Sequence, residues 1–361
     1  MDKKVRIGII GCGGIANGKH MPSLAKLKNV EMVAFCDIVI ERAEEAAKKY
    51  GTEDAKVYLD YKELLEDNTI DVVHVCTPNK SHAPISIAAL ESGKHVMCEK
   101  PMAKTAADAR AMLEAAKRTG KKLTIGYQNR QRKEIRHLKT LCDNGVLGKI
   151  YFGKAHAIRR RAVPTWGVFM NEEEQGGGPL IDIGTHALDL TLWMMNNYEV
   201  ESVTGNCHYE IGKRPNCANA WGPWDPEKYT VEDSAFGFIK MKNGATIILE
   251  SSWAINLVDA REATCTLAGT EAGADFFDGM RINGEEYSKL YIKKIDMNTS
   301  GVDFYEGVSG DDPSVLDMAQ WIDAVVNDKD PTVLPEQALV VSEILEAIYT
   351  SYRTGKTVYF D

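Results

Sequence analysis

Short apolar runs alternate with amphipathic stretches through the first 126 residues. The runs at 5–10, 30–36, 71–76, 94–98 and 122–125 have strand length, and the stretches at 18–27, 40–50, 81–91 and 105–118 carry apolar residues at helical spacing. Thr105 stands where it can cap the last of these helices, and Gly120 where it can end it. Strands alternating with helices predict parallel pairing through right-handed crossovers, hence an α/β doubly wound sheet. After Gly126 the rhythm changes. A basic helix at about 132–142 stops near Gly145, followed by a strand at 149–158, a Gly-rich loop and a helix at 180–195. Strands at 234–241 and 245–252 flank Lys242-Asn243-Gly244, a strong hairpin signal. Further strand candidates lie at 264–267 and 276–277, and helices at 315–327 and 336–353 close the chain. This half reads as an α+β domain with an open, mostly antiparallel sheet and helices on one face. The predicted division is a doubly wound domain at 1–126 and a second domain at 127–361.

The length of 361 residues agrees with two domains, and 44% hydrophobic and 26% charged residues are ordinary for a globular protein. Lys and Arg number 43 against 52 Asp and Glu, a net charge of −9 that leaves no basic excess for a general nucleic-acid binder. No segment approaches the ~18 consecutive apolar residues of a membrane span. The basic start Met1-Asp2-Lys3-Lys4 resembles a signal n-region, but the apolar run after it ends in Gly11 without a small-residue cleavage site, so a cytoplasmic location is expected. The eight cysteines (12, 36, 76, 98, 142, 207, 217 and 265) include no C-x-x-C pair, and reduced thiols are expected rather than disulfides or a zinc site.

Four motifs carry chemistry. Gly11-Cys12-Gly13-Gly14-Ile15-Ala16 is a G-x-G-x-x-A directly after the first strand and before a helix. Gly11 permits the tight turn, Gly13 lets backbone approach a pyrophosphate, and Ala16 lets helix and strand pack closely, while the helix N-terminus favours the phosphates. Asp37 ends the second strand, 21 residues beyond Ala16, where a carboxylate accepts bonds from the adenosine ribose. A carboxylate there repels a 2′-phosphate, and Ile38 follows it with no arginine nearby, so NAD is expected over NADP. The second motif is Thr77-Pro78-Asn79 with His82, at the carboxyl edge of the predicted sheet, where ligands bind; Asn79 or Ser81 can also cap the helix. The third, Glu99-Lys100-Pro101, sets an ammonium at the same edge. The fourth runs from Gly176-Gly177-Gly178 through Asp182 and His186 to Asp189. On a helix these last three share one face, and an aspartate one turn from a histidine is a workable acid–base pair or a capped, hydrogen-bonded interior arrangement. No third and fourth ligand stand nearby, so no metal is expected.

Taken in order, the glycine turn, Glu99-Lys100-Pro101 and the G-G-G-x-L-x-D-x-G-x-H-x-x-D stretch resemble the Gfo/Idh/MocA oxidoreductases over essentially the whole chain. The resemblance implies that Lys100, Asp182 and His186 line a catalytic site. It also implies a cofactor site at Gly11, Gly13, Gly14, Ile15, Ala16, Asp37, Thr77, Pro78, Asn79, His82, Glu99 and Lys100. The implied activity is hydride transfer between NAD and a hydroxyl-bearing carbon of a sugar, glycoside or cyclitol. His186 is then the general base, Lys100 stabilises the alkoxide, and Asp182 orients His186 or binds a neighbouring hydroxyl. Some relatives instead use transient oxidation as NAD-assisted glycosidases or epimerases, and some only sense a ligand; retention of the three residues argues against the last. Tyr127, Arg160 and Trp166 are weaker substrate candidates. The segment Tyr127-Gln128-Asn129-Arg130 either reaches the cleft or anchors the hinge. In the 214–229 loop Trp221, Trp224 and Tyr229 either stack on a sugar or pack the loop down. A large apolar face on the second sheet is expected to build a homodimer or homotetramer.

Overall fold

The computed structural model describes residues 4–297 and 312–361. The chain forms two compact units: residues through Gln131 with the segment ending at Leu339, and the stretch beginning at Arg132 together with Val340–Asp361. In the first unit β1 (Val5–Ile10) is followed by a π turn (Ala16–His20) and a short α1 (Met21–Leu24). Next come β2 (Val30–Cys36), α2 (Ile40–Tyr50), β3 (Lys56–Tyr58), α3 (Tyr61–Leu65), β4 (Val72–Val75), α4 (His82–Glu91), β5 (His95–Cys98), α5 (Ala106–Thr119) and β6 (Leu123–Ile125). All pairings are parallel and the order is β3-β2-β1-β4-β5-β6, so the strand order reverses between β1 and β4. A doubly wound sheet offers its ligand crevice at the carboxyl ends of the strands at that reversal. The capping expectations hold at α5: the Thr105 hydroxyl accepts the Asp108 N–H, and Gly120 is left-handed. The predicted helix at 18–27 is instead the π turn and the four residues of α1.

In the second unit α6 (Lys133–Asp143), β7 (Ile150–Ile158) and α7 (Glu172–Gln175) lead to a π turn (Leu180–Gly184) that runs directly into α8 (Thr185–Met195). The strands β8 (Val200–His208), β9 (Ser234–Met241), β10 (Thr246–Ser252), β11 (Glu262–Gly269), β12 (Ala272–Asp275), β13 (Arg281–Glu286) and β14 (Lys289–Lys294) follow. The chain then returns to the first unit with α9 (Pro313–Val326), whose Met318, Trp321 and Ile322 pack into the same core as Ile7, Ile9 and Phe35. It ends in α10 (Pro335–Thr354) and β15 (Val358–Tyr359). The second sheet has the order β14-β13-β12-β11-β7-β10-β9-β8-β15; β7 and β10 are parallel and the other pairs antiparallel. α8 covers one face, packing on β7 and β11.

On the opposite face Ile248 stands between Phe238 and Lys154, and Glu250 between Phe236 and His156. Phe238 is 52% exposed. Glu250 binds Lys154 at 2.9 Å and His156 at 2.6 Å, and His156 reaches Thr266 at 2.9 Å. The face is thus mixed, not uniformly apolar. The predicted strand at 276–277 does not form: β12 stops at Asp275, whose carboxylate accepts the Phe277 N–H and pairs with Arg281. Among the described residues no helix is long and apolar enough to cross a membrane.

Candidate active site

In the first unit the glycine turn sits at the carboxyl end of β1. Gly11 has φ +90°, and a Cβ there would lie 2.7 Å from the Cys76 carbonyl oxygen, so both conformation and space demand glycine. Gly13 and Gly14 have no atom within 4 Å of where a Cβ would stand, and Ala16 is fully buried against the sheet. Ile15 is exposed beside them. Open space over a glycine backbone at the start of a helical segment fits a dinucleotide pyrophosphate. Asp37 ends β2 with Oδ2 accepting the Cys12 N–H at 2.8 Å and Oδ1 accepting the Val39 N–H at 2.9 Å. This ties the carboxylate to the glycine turn. One expectation needs correction: Arg42 stands 3.9 Å from Asp37 Oδ1. Side chains in a first helical turn lean back toward the helix N-terminus, which brings this exposed guanidinium of α2 to the end of β2.

The turn after β4 carries Thr77, Pro78 and a buried Asn79. His82 sits between two carbonyls, Thr77 O and Pro101 O, each 2.8 Å from a ring nitrogen, and so ties the turns after β4 and β5 together. Both ring nitrogens are engaged by the protein itself.

Glu99 is likewise directed inward. Its Oε1 is 2.9 Å from Lys19 Nζ and 2.7 Å from His20 Nε2, while Oε2 accepts the Lys100 N–H at 3.2 Å. Lys19 also reaches Gln128 Oε1 at 3.2 Å and Asp317 Oδ2 at 3.6 Å, and His20 meets His74 at 2.9 Å. Burial raises the Glu99 carboxyl, but Lys19 and His20 outweigh it and hold it well below the ordinary range. Burial pushes Asp317 up to about 6. This cluster lies under the turn that carries Lys100, which is partly buried and joined to Pro101 by a cis peptide. Tyr127 and Arg130 are buried, and Arg130 donates to Thr332 O at 2.9 Å and Gln337 Oε1 at 2.8 Å, an anchoring role within this unit.

In the second unit Asp182 lies in the π turn and His186 and Asp189 in the first turns of α8, both buried. A π turn is wider than an α turn and is frequent at functional sites. Asp182 Oδ2 accepts the Trp253 indole N–H at 3.1 Å and lies 3.7 Å from the Arg159 guanidinium, which is held by Glu262 at 2.6 and 2.5 Å. Arg160 is exposed, its carbonyl accepting the Ile255 N–H. It is therefore Arg159 and Trp253, neither evident as site residues from sequence, that stand beside Asp182. Both follow strand ends, of β7 and β10, and only the parallel pairing of those strands brings them together.

The aromatic loop divides in two. Tyr229 is buried and Trp224 donates to Gly212 O at 2.8 Å, so these two pack the loop down. Trp221 remains 43% exposed and Trp166 52% exposed, edge to face at 4.9 Å, with the Arg159 guanidinium 5.2 Å over the Trp221 ring.

Comparison with known proteins agrees with both units. Residues 5–127 match the Gfo/Idh/MocA model of an oxidoreductase family with an NAD-binding Rossmann fold, and residues 135–275 match the Gfo/Idh/MocA C-terminal domain. D-glucoside 3-dehydrogenase of Escherichia coli strain K12 is 36% identical over 356 residues, covering 98% of this chain and 97% of that protein. Inositol 2-dehydrogenase of Salmonella typhimurium strain LT2 is 35% identical over 194 residues, 53% of this chain and 55% of that protein. The crystal structure of an oxidoreductase domain protein from Kribbella flavida aligns with a TM-score of 0.84 over 99% of this chain and 100% of that one at 24% identity, a likeness of fold.

Proposed function

The chain belongs to the Gfo/Idh/MocA oxidoreductase family, and we propose that it is an NAD-dependent dehydrogenase of a ring hydroxyl in a glucoside-type sugar. It is an oxidoreductase acting on sugar or cyclitol hydroxyls; the narrower choice of a glucoside rests on the end-to-end kinship with a glucoside dehydrogenase. A panel of glucosides, free sugars and inositols with NAD, followed at the nicotinamide absorbance, tests it. Oxidation of inositols alone removes the glucoside assignment, and no oxidation of any of them removes the activity.

In this reading the first unit, built on residues 1–126, binds the coenzyme, and the second unit, drawn from 127–361, binds substrate and associates. When bound, NAD supplies the hydride acceptor. Gly11, Gly13, Gly14, Ile15 and Ala16 hold its pyrophosphate, Asp37 its ribose, and the Thr77-Pro78-Asn79 turn lies along the same sheet edge, braced by His82 and Glu99. His186 is assigned the general-base role for the reacting hydroxyl, and Lys100 the stabilisation of the alkoxide that develops. Asp182, held by Trp253 and Arg159, accepts a hydrogen bond from a neighbouring hydroxyl. Trp166 and Trp221 offer a sugar ring an aromatic wall. A homodimer or homotetramer through the open face of the second sheet is supported by the exposed Phe238, and light scattering that finds a monomer at micromolar concentration removes it. A cytoplasmic location is supported by eight free thiols.

NAD is the preferred coenzyme because the Asp37 carboxylate would stand against a 2′-phosphate. Arg42 moderates this. Asp37→Ala weakens NAD at least tenfold in an affinity titration and lets Arg42 serve a 2′-phosphate, so discrimination against NADP shrinks. Equal NAD affinity in parent and variant removes this role for Asp37.

A further inference from the structure

Glu232, in the segment leading into β9, is buried and none of the roles above uses it. Its Oε2 accepts the Gly178 N–H at 2.8 Å, and its Oε1 accepts the Leu180 N–H at 3.1 Å and the Tyr349 hydroxyl at 2.8 Å. Gly178 and Leu180 open the helical segment that carries Asp182 and His186, where backbone N–H groups have no partner within the helix. The glycine run is shaped around the Glu232 backbone and the Tyr349 ring, the two groups that bring and hold this carboxylate at the turn. A Cβ on Gly178 would collide with the Glu232 carbonyl oxygen, and one on Gly177 with the Tyr349 hydroxyl. Two of the three consecutive glycines therefore exist to let Glu232 and Tyr349 approach the turn.

Such a cap is favoured by the helix dipole and opposed by desolvation. Desolvation is the larger effect, and it pushes the carboxyl up to about 7 despite its donors. The titratable groups facing it are the Tyr349 hydroxyl on α10, Cys207 of β8, Tyr209 just beyond it, Tyr229 of the packed loop and the adjoining Asp233. Each of these is neutral or anionic at neutral pH, so none offsets the buried charge as a cation would. On protonation Glu232 loses one acceptor position and holds the turn less firmly.

We propose that Glu232 is a positioning residue, which by capping Gly178 and Leu180 fixes the wide turn that presents Asp182 and His186. The inference rests on the catalytic reading of those two residues. A misplacement of about 1 Å at such a site can cost 10²-fold in rate. Glu232→Ala therefore lowers single-turnover hydride transfer about 10²-fold. Glu232→Gln, which keeps one acceptor oxygen, recovers to within about tenfold of the parent. The NAD dissociation constant stays at the parent value in both.

Hydrogen exchange of the peptide spanning 176–190 gives a readout independent of activity. Corrected for intrinsic rates, exchange in the parent rises as pH falls from 8 to 6, and in Glu232→Gln it is higher throughout and without this pH dependence. Tyr349→Phe keeps both backbone bonds and stays within about threefold of the parent in hydride transfer. A folded Glu232→Ala with parent transfer rate and parent exchange overturns the proposal. If that variant does not fold, parent-like exchange and its pH dependence in Glu232→Gln overturn it, as does a 10²-fold loss in Tyr349→Phe. If the parent oxidises no sugar, the dehydrogenase reading fails and the exchange comparison still decides the role of Glu232.

Discussion

Replacing Lys100 by methionine or His186 by alanine lowers single-turnover hydride transfer ~10²–10⁴-fold, the usual contribution of a general acid–base or alkoxide-stabilising group. Both variants keep the parent affinity for NAD within a few-fold, because the proposed pyrophosphate and ribose contacts come from the glycine turn and Asp37. The two losses have different origins. Under the proposed roles, loss of His186 removes the general base for the hydroxyl proton, and loss of Lys100 removes the cation assigned to the alkoxide. His186 is buried near the start of α8, so a purely structural histidine is the competing explanation. That competitor makes an opposite prediction: melting temperature falls while the transfer rate per folded molecule stays near the parent. The measurement is therefore rapid-mixing absorbance at saturating sugar and NAD, beside a thermal melt and an NAD titration on each variant. Near-parent rates in both folded variants remove the catalytic assignment and leave a ligand-binding protein.

What could be read from the chain alone was what local pattern encodes. The glycine turn, Thr105 with Gly120, and the hairpin around Asn243-Gly244 are each specified by neighbours a few residues away, and the structure forms them as read. What local pattern leaves out is long-range pairing. Arg159 and Trp253 meet Asp182 because β7 and β10 run parallel side by side, and no spacing in the sequence records that. The Gly177 and Gly178 positions were legible as a Gly-rich loop, but their cause, Glu232 and Tyr349, lies more than fifty residues away. Strands β13 and β14 were missed for a different reason: Arg281–Glu286 and Lys289–Lys294 are largely exposed and mostly polar, so the apolar alternation that signals a half-buried strand is lacking. Glu99 shows the limit of motif reading most plainly. Its place beside Lys100 suggests a ligand contact, whereas its side chain turns into the interior toward Lys19 and His20.

That inward turn gives the largest expected effect on stability. Glu99→Gln removes the anion from a buried pair and leaves the Lys19 ammonium with Asp317, at 3.6 Å, and a neutral amide. Removing one partner of a buried ion pair typically costs about 3–5 kcal/mol, because the remaining charge keeps its desolvation penalty. Urea denaturation at pH 7 is expected to show a loss of that order. The pH dependence follows from the directions of the shifts. The folded Glu99 carboxyl lies well below its unfolded value of 4.5, so its stabilisation is complete above about that pH and is lost as pH falls further. Asp317 works oppositely: its folded carboxyl, pushed up to about 6, makes the native state bind the extra proton, and stability declines as pH rises from 3.8 through about 6. The Glu99 part of the gap between parent and Glu99→Gln is therefore complete above about pH 4.5 and narrows as pH falls below it. Lys19→Met alone leaves Glu99 with His20 and is also destabilising. The double variant Lys19→Met with Glu99→Gln buries no unpaired charge of this couple, so it is more stable than the sum of the single losses predicts. Strict additivity, or a Glu99→Gln loss below about 1 kcal/mol at pH 7, means that the cluster is not an ion pair in solution. Lys100 donates its backbone N–H to the same carboxylate, so the variant that weakens the cluster also loosens the turn that carries the proposed alkoxide-binding ammonium.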